Sequence, residues 1–210
     1  KEGKLKANKQ AIIQDLPGIY SLSPYTLEEV VSRNYLVTQH PDAMINIVDA
    51  SNLERNLYLT TQLLEIGVPM VIALNMMDEL HGNGGSVDVQ KMAQLLGVPV
   101  VPISAVKHEG VSELVDTLVR TAKAQSLPKV IDFCADGPVH RCIHAVSHLI
   151  EDHARNVGVS RRFCAIKLIE DDRDFFEMLE LSQNEKELLE HSVIEMEHET
   201  GLDRNAALAD

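Results

Sequence analysis

Short continuous runs of apolar residues alternate with amphipathic stretches over the first 125 residues of the chain. The continuous runs predict buried strands, because a strand covered on both faces shows no polar alternation. Such strands are predicted at residues 43–48, 70–74 and 98–103. Apolar residues on a helical spacing predict helices at residues 26–36, 53–66, 88–96 and 111–122. Strands that alternate with helices are typical of a parallel sheet covered on both faces, so the pattern predicts a doubly wound, mostly parallel α/β fold.

The two ends of the chain follow other patterns. A strand hairpin with a turn at Ala7-Asn8 is predicted at the start. Strand signals stop near residue 126, and helical spacing returns at residues 139–156, 171–181 and 184–199. The predicted domains are therefore an α/β domain at 1–125, a linker at 126–137 and a small all-α domain at 138–210.

Composition narrows the classes of function. The formal net charge of −13 disfavours a nucleic-acid partner, because proteins that bind nucleic acid rely on basic patches. No run approaches the roughly 20 apolar residues of a membrane-spanning helix. The cysteines Cys134, Cys142 and Cys164 are odd in number and lack a C-x-x-C spacing, which predicts neither a disulfide framework nor a zinc site. Free thiols of this kind fit a reducing, cytosolic setting.

Four short motifs follow predicted strands in the first half of the chain. They are Asp15-Leu16-Pro17-Gly18, Val48-Asp49-Ala50, Asn75-Met76-Met77-Asp78 and Ser104-Ala105. Open α/β sheets bind their ligands at the carboxyl ends of the strands, which is where these motifs lie. Their order and spacing predict the later part of a guanine-nucleotide site in a Ras-like fold of the P-loop NTPase type.

The motif at residues 75–78 predicts the choice of base. The Asp78 carboxylate can accept two hydrogen bonds, from N1–H and from the exocyclic amine of guanine, and adenine offers no such pair of donors. The wrong base would leave the carboxylate desolvated and unpaired, which is a strong source of discrimination. The Ala105 amide is predicted to donate to the guanine O6. Asn or Asp at a strand end is more often a simple cap, so the interpretation depends on all the motifs together.

The motif at residues 15–18 predicts contacts on the phosphate side. Asp15 would hold Mg²⁺ through water, and the Gly18 amide would contact the γ-phosphate of GTP. Taken alone, Asp-x-Pro-Gly after a strand is also an ordinary turn.

Two parts of such a site are absent from the sequence. It contains no G-x-x-x-x-G-K-[ST] phosphate loop, and the glycine-rich run at residues 82–86 cannot replace it because no lysine follows. The first-switch threonine that would complete Mg²⁺ coordination is not identifiable. The α/β domain is therefore expected to be incomplete at its N-terminus, with about 40 further residues upstream that supply a strand, loop, helix and switch.

Longer stretches around these motifs resemble ferrous iron transport protein B (FeoB). The stretch at 15–26 and the one at 28–36 closely resemble the second switch of that family, and residues 48–59 strengthen the match. The resemblance is strong to about residue 125 and looser over the helical remainder.

The resemblance implies a GTP-hydrolysing domain on the cytosolic face of the bacterial inner membrane. A helical domain that tunes nucleotide release would connect it to a C-terminal transmembrane Fe²⁺ permease of the same polypeptide. By this resemblance Asp15 and Gly18 serve Mg²⁺ and the γ-phosphate, Asn75 and Asp78 serve guanine, and Ser104-Ala105 forms the last base-contacting loop. The family also implies K⁺ beside Mg²⁺, held by residues outside this sequence.

Two further features carry expectations of their own. Ile19 follows Gly18 where many small GTPases have a glutamine that orients the attacking water, so slow intrinsic hydrolysis is expected. His140, His144 and His148 are spaced at i, i+4 and i+8 on a predicted helix. Such a stripe can bind a transition metal, although histidines more often line a polar helix face.

The leading hypothesis is therefore a GTPase switch domain that regulates ferrous iron uptake. One alternative is an interaction or scaffold module derived from a GTPase, which would lack hydrolysis. Another is a ribosome-assembly GTPase, which the negative charge and the lack of a basic extension oppose. The sequence leaves open whether the protein forms a homo-oligomer.

Overall fold

The computed structural model describes residues 1–5, 11–22, 26–129 and 132–209. The chain divides into two compact units, Lys1–Ile131 and Asp132–Asp210, and the boundary falls inside the predicted linker at 126–137. The predicted turn at Ala7-Asn8 lies outside the described residues, as do residues 23–25 of the predicted second switch.

Two sheets are present in the described part of the first unit. Strands β1 (Glu2–Lys4) and β2 (Ile12–Gln14) pair antiparallel, as the hairpin prediction requires. Strands β3 (Met44–Asp49), β4 (Met70–Asn75) and β5 (Val100–Pro102) form a parallel sheet with β4 in the middle. The predicted parallel α/β fold is thus confirmed, although β5 is shorter than the predicted 98–103.

Five helices are present in the described part of the first unit; four lie close to the predicted ones, and the short third one was not predicted. They are α1 (Leu27–Gln39), α2 (Leu53–Ile66), α3 (Met77–Gly82), α4 (Val89–Leu96) and α5 (Val111–Ala124). Thr26 and Glu29 form a capping box at the start of α1. Gly67 and Gly97 end α2 and α4 in the left-handed conformation that glycine adopts without strain. Gly82, predicted as loop, instead ends α3.

Strand β4 is the centre of the core. Residues 70–74 are fully buried, because α5 packs against the strand and a strand lies on either side of it. Val71 and Ala73 pack with Val101, Ile103 and Leu114 of the neighbouring strand, the following loop and α5. This burial explains why the β4 sequence is a continuous apolar run.

The second unit is all helical in the described residues. Its helices are α6 (Pro138–Leu149), α7 (Glu151–Val157), α8 (Arg161–Ile169), α9 (Arg173–Leu179), α10 (Gln183–Thr200) and α11 (Arg204–Ala209). The prediction of one helix over 139–156 was wrong, because the chain breaks at Ile150 into α6 and α7. Helices α8 and α11 were not predicted. Helix α8 is buried on nearly all sides, so it lacks the amphipathic spacing that reveals a helix.

The core of the second unit is built around α8. The rings of Phe163 and Phe175 pack edge to face with centroids 5.6 Å apart. Lys167 is also buried, and its Nζ pairs with Glu170 Oε2 at 2.6 Å. A buried ammonium needs such a partner, because an unpaired charge in the core is strongly destabilising. Phe175 and Leu179 of α9 are buried as well.

None of the described helices combines the length and the apolar character needed to cross a membrane. Cys134, Cys142 and Cys164, all within the described residues, form no disulfide, and burial raises the pKa of the Cys142 thiol to about 11 and that of Cys164 to about 12.

The start of α10 has a capping box that generates a testable prediction. Ser182 donates to Glu185 Oε2 from its backbone N–H at 2.8 Å and from its hydroxyl at 2.6 Å. These hydrogen bonds, together with His153, lower the pKa of Glu185 to about 2. Because the pKa is lower in the folded state, Glu185 stabilises the fold above its unfolded pKa, and this stabilisation is lost as the pH falls toward 2.

We expect Glu185→Gln to lower the free energy of unfolding at pH 7 by about 1 kcal/mol, the typical net value of a hydrogen bond. The difference from the unmodified chain should shrink at pH 3, which urea unfolding followed by circular dichroism would measure. Glu195→Gln, an exposed position on the same helix, is the matched control. An equal difference at both pH values would contradict the role assigned to the carboxylate.

Candidate functional site

The carboxyl ends of the parallel strands lie side by side at one edge of the sheet. The register pairs Asp49 of β3 with Asn75 of β4, and Leu74 of β4 with Pro102 of β5. The motifs that follow these strands, at 48–50, 75–78 and 104–105, therefore meet at this edge. We call it the base-side edge.

Asn75 connects the loops on both sides of β4. Its backbone oxygen accepts from the Ala50 amide at 2.9 Å, and its side-chain Oδ1 accepts from the Ala105 amide at 3.1 Å. Asn75 thus holds the loop after β5 in position. The Ala105 amide, predicted to donate to guanine, already has an acceptor in this structure. It can also serve a base oxygen by sharing its hydrogen in a three-centre bond.

Asp49 has a local role at this edge. Its Oδ1 accepts from the backbone N–H of Ser51 at 2.8 Å and from the hydroxyl of the same residue at 2.6 Å. This arrangement is an Asx turn, which directs the chain from β3 into α2.

Asp78 lies in the first turn of α3, after a sharp change of direction at Met76. Met76 has a φ of 65°, the left-handed conformation, and this turn begins the helix. The Asp78 side chain is 18% exposed, and its Oδ2 lies 4.0 Å from Lys107 Nζ. The hydrogen bond from the Ser104 side chain lowers the pKa of Asp78, and the positive charge of Lys107 contributes in the same direction. Asp78 is therefore ionised at neutral pH and able to accept hydrogen bonds.

The loop after β5 is closed tightly around Ser104. Ser104 is buried, pairs with Glu109 across the loop, and accepts from the Lys107 amide through Oγ at 3.3 Å. Gly110 ends the loop with a φ of 73°, and a Cβ at this position would lie 2.3 Å from the Pro102 carbonyl oxygen. Only glycine fits there without movement of the backbone.

A cleft of about 510 Å³ adjoins the base-side edge. Its walls come from α3, the start of α4, β5 and the loop after β5, with the lining residues Met77, Asp78, His81, Val87, Val89, Pro102, Ile103, Ser104, Lys107 and Glu109. This volume is in the range of small-molecule sites. Lys107 and His81 were missed by the sequence analysis, because neither belongs to a motif. The fold of the loop after β5 brings Lys107 to Asp78, and His81 follows Asp78 by three residues on α3, a helix that was not predicted.

The remaining predicted residues, Asp15 to Gly18, lie on the loop after β2, in the other sheet of this unit. Asp15 and Gly18 are exposed, and Leu16 is half-buried. The Ser32 hydroxyl of α1 lies 3.4 Å from the Pro17 carbonyl oxygen, to which it donates. An exposed carboxylate after a strand suits a magnesium ion held through water, because Mg²⁺ retains several of its waters in proteins.

The three histidines lie on α6 in the second unit. The ring centroids of His140 and His144 are 6.2 Å apart, and those of His144 and His148 are 4.5 Å apart. His140 Nδ1 also lies 3.3 Å from Asp132 Oδ2. No group of three or more His, Cys, Asp or Glu side chains within the described ranges is placed to hold a metal ion. Metal binding by this stripe stays a prediction.

Solved structures of similar sequence share this fold. One is NFeoB from S. thermophilus in a GDP-bound mutant form, with a TM-score of 0.90 and 41% identity, covering 99% of this chain and 80% of that one. The same protein bound to mGMPPNP gives a TM-score of 0.88 and 42% identity, covering 100% and 78%. Its complex with GDP·AlF4⁻ and K⁺ gives a TM-score of 0.90 and 41% identity, covering 100% and 80%.

Curated relatives are much longer than this chain. An Fe(2+) transport protein A/Fe(2+) transporter FeoB fusion protein from Porphyromonas gingivalis is 39% identical over 83% of this chain and 21% of its own length. The Fe(2+) transporter FeoB of Salmonella typhimurium is 40% identical over 65% of this chain and 19% of its own length. The chain thus spans about a fifth of the relatives it matches.

Two family models match successive parts of the sequence. Residues 136–210 match the FeoB cytosolic helical domain. Residues 1–118, more than half of the chain, match the model described as ferrous iron transport protein B. The motifs after the strands, the parallel sheet that aligns them and these matches lead to one assignment: the chain belongs to the ferrous iron transport protein B family, and its two parts match the family's N-terminal domain and its cytosolic helical domain.

Proposed function

We propose that this chain binds guanine nucleotides at the base-side edge, and that the longer protein containing it hydrolyses GTP to GDP and phosphate to regulate ferrous iron uptake. The observation that carries the proposal is the ionised Asp78 carboxylate, held by Ser104 beside a cleft at the carboxyl ends of a parallel sheet. A fixed acceptor of this kind suits the two donors on the edge of guanine.

On the base side, each residue has a distinct task. Asp78 accepts from N1–H and the exocyclic amine of guanine. Asn75 holds Ala105, whose amide shares its hydrogen with the guanine O6. Met76 and Met77 shape the turn that brings Asp78 to the base, and the hydrogen bond from Ser104 orients the carboxylate and stabilises its charged form.

On the phosphate side, the proposal assigns Asp15 to Mg²⁺ through water and Gly18 to the γ-phosphate, with Leu16 and Pro17 shaping the loop between them. The sequence has no G-x-x-x-x-G-K-[ST] segment, so phosphate binding and hydrolysis require residues beyond these 210. In the described parallel sheet β3 is an outer strand, and its outer edge is suited to pair with a further strand. K⁺ binding, which the S. thermophilus complex shows for that protein, would also depend on that segment.

The switch itself would act through the segment at residues 16–26. The γ-phosphate of GTP orders this segment through Gly18, and hydrolysis releases it. The helical domain, proposed at 138–210, would pass the change to a transmembrane permease. The relatives are named as Fe(2+) transporters, which supports a transport partner, and the match to the FeoB cytosolic helical domain supports a cytosolic position.

The choice of guanine can be tested with Asp78→Asn in the complete cytosolic domain. Loss of the carboxylate should weaken GDP binding about 100-fold or more, because two charge-assisted hydrogen bonds are lost. Xanthosine diphosphate should gain affinity, because its 2-oxo group accepts from the new amide. Labelled GDP, ADP and xanthosine diphosphate would be compared, with Asp116→Asn on the exposed face of α5 as control. Unchanged guanine preference would overturn the proposal.

The role of Ser104 can be tested by titration. Ser104→Ala removes the largest contribution that lowers the pKa of Asp78, so the pKa should rise. Lys107→Met should raise the pKa of Asp78 less, because its contribution is smaller. Carbon-13 NMR of the Asp78 carboxyl would measure both. A larger shift in Lys107→Met than in Ser104→Ala would show that charge, and not the hydrogen bond, holds the carboxylate.

Hydrolysis is expected to be slow, because the Ile19 side chain cannot hold the attacking water by a hydrogen bond. Single-turnover GTP hydrolysis by the full-length protein, measured in matched KCl and NaCl buffers, would test this. The expected result is a low rate that depends on the monovalent cation. Rapid hydrolysis that is equal in the two buffers would contradict it.

A further inference from the structure

The segment that follows Gly18 rests against one face of α2. The Arg55 guanidinium lies over the Tyr20 ring, 3.8 Å from its centroid. Two residues further along, the Leu22 side chain is fully buried, and its amide donates to Gln62 Oε1 at 2.8 Å. Arg55 and Gln62 are seven residues apart on α2, which places them on the same face of the helix.

The chain before Gly18 is also held in place. The Asp15 amide donates to the Lys1 carbonyl oxygen at 2.7 Å, which continues the pairing of β1 with β2. Gly18 therefore lies between two held points, Asp15 and Tyr20. Apart from its chain neighbours, no described residue has an atom within 4 Å of the position that a Gly18 Cβ would occupy.

We propose that Arg55 and Gln62 are positioning residues for the γ-phosphate, because they fix Tyr20 and Leu22 and so limit the conformations of Gly18. This inference rests on the proposed function, in which the Gly18 amide contacts the γ-phosphate. A flexible glycine loses conformational entropy when it binds a ligand, and a segment held in advance loses less. The two α2 residues thus favour GTP over GDP without touching either nucleotide.

The Tyr20–Arg55 contact and the Leu22–Gln62 hydrogen bond restrain this segment to different degrees. The Tyr20 side chain is 59% exposed, so its cation–π contact with Arg55 is modest and can form and break in solvent. The hydrogen bond to Gln62 serves an amide beside a fully buried side chain, and such a donor is costly to leave unpaired. Gln62 is therefore the stronger restraint, and Arg55 is the adjustable one.

The first test compares the affinities of full-length protein for GMPPNP and for GDP. Arg55→Ala should lower the GMPPNP affinity relative to that for GDP by about two- to fivefold, the range expected for an exposed cation–π contact. Arg55→Lys should retain most of the ratio, because an ammonium can also lie over the ring. Arg120→Ala, an exposed arginine of α5, is the matched control.

The second test asks whether Arg55 acts through the ring. Tyr20→Leu should change the ratio as Arg55→Ala does, and Tyr20→Phe should leave it unchanged because the aromatic face remains. In the double variant of Tyr20→Leu with Arg55→Ala, the effects should not add, since either change removes the same contact. Additive effects would overturn the pairing of Arg55 with Tyr20.

The third test uses Gln62. Gln62→Leu removes the acceptor and should lower the affinity ratio more than Arg55→Ala does, whereas Gln62→Glu retains an acceptor oxygen and should keep the ratio. If these variants weaken GMPPNP and GDP equally, Arg55 and Gln62 only stabilise the fold and the inference is wrong. That outcome leaves the proposed function intact, because the proposed function fails only if the unmodified protein shows no preference for guanine.

Discussion

The parallel pairing of β4 with a strand on each side is the constraint on which the base-side edge depends. Because the register aligns Asp49 with Asn75 and Leu74 with Pro102, three loops must leave the sheet at the same edge. Asn75 then uses both its backbone and its side chain to bind the neighbouring loops. The position of Asp78 follows from this edge, since Met76 turns the chain directly after the strand.

The apolar sequence of β4 stabilises this strand register. Residues 70–74 are fully buried, so a slip in register would place polar groups of the loops in the core and remove apolar side chains from it. The Asn46 side-chain amide of β3 donates a buried hydrogen bond to the Thr60 hydroxyl of α2 at 2.8 Å, which fixes the position of α2 on the sheet. A misplaced α2 would leave the Asn46 amide unpaired, at a cost of about 1 to 3 kcal/mol, whereas the Thr60 hydroxyl would retain its hydrogen bond to the Asn56 carbonyl oxygen.

Much of the fold could be predicted because its signals are local in the chain. Continuous apolar runs predicted β3 and β4, and the helical spacing of apolar residues predicted α1, α2 and α4. Helix α8 escaped because burial on nearly all sides removes its periodicity. Of the side chains around Asp78, Ser104 belongs to a motif and was predicted, whereas Lys107 reaches Asp78 only through tertiary packing. The contact between Tyr20 and Arg55 also depends on tertiary packing and was not predicted.

The two sides of the predicted nucleotide site differ in how firmly they are held. On the base side, Ser104 is 2% exposed and each motif is bonded to a buried strand. On the phosphate side, Asp15, Pro17 and Gly18 are exposed and depend on a short hairpin and on contacts with α1 and α2. Segments with few buried contacts open at low free energy, while buried strands open only with the whole fold. A site built this way can keep its base contacts while the phosphate side changes conformation, which is the asymmetry that a nucleotide-dependent switch requires.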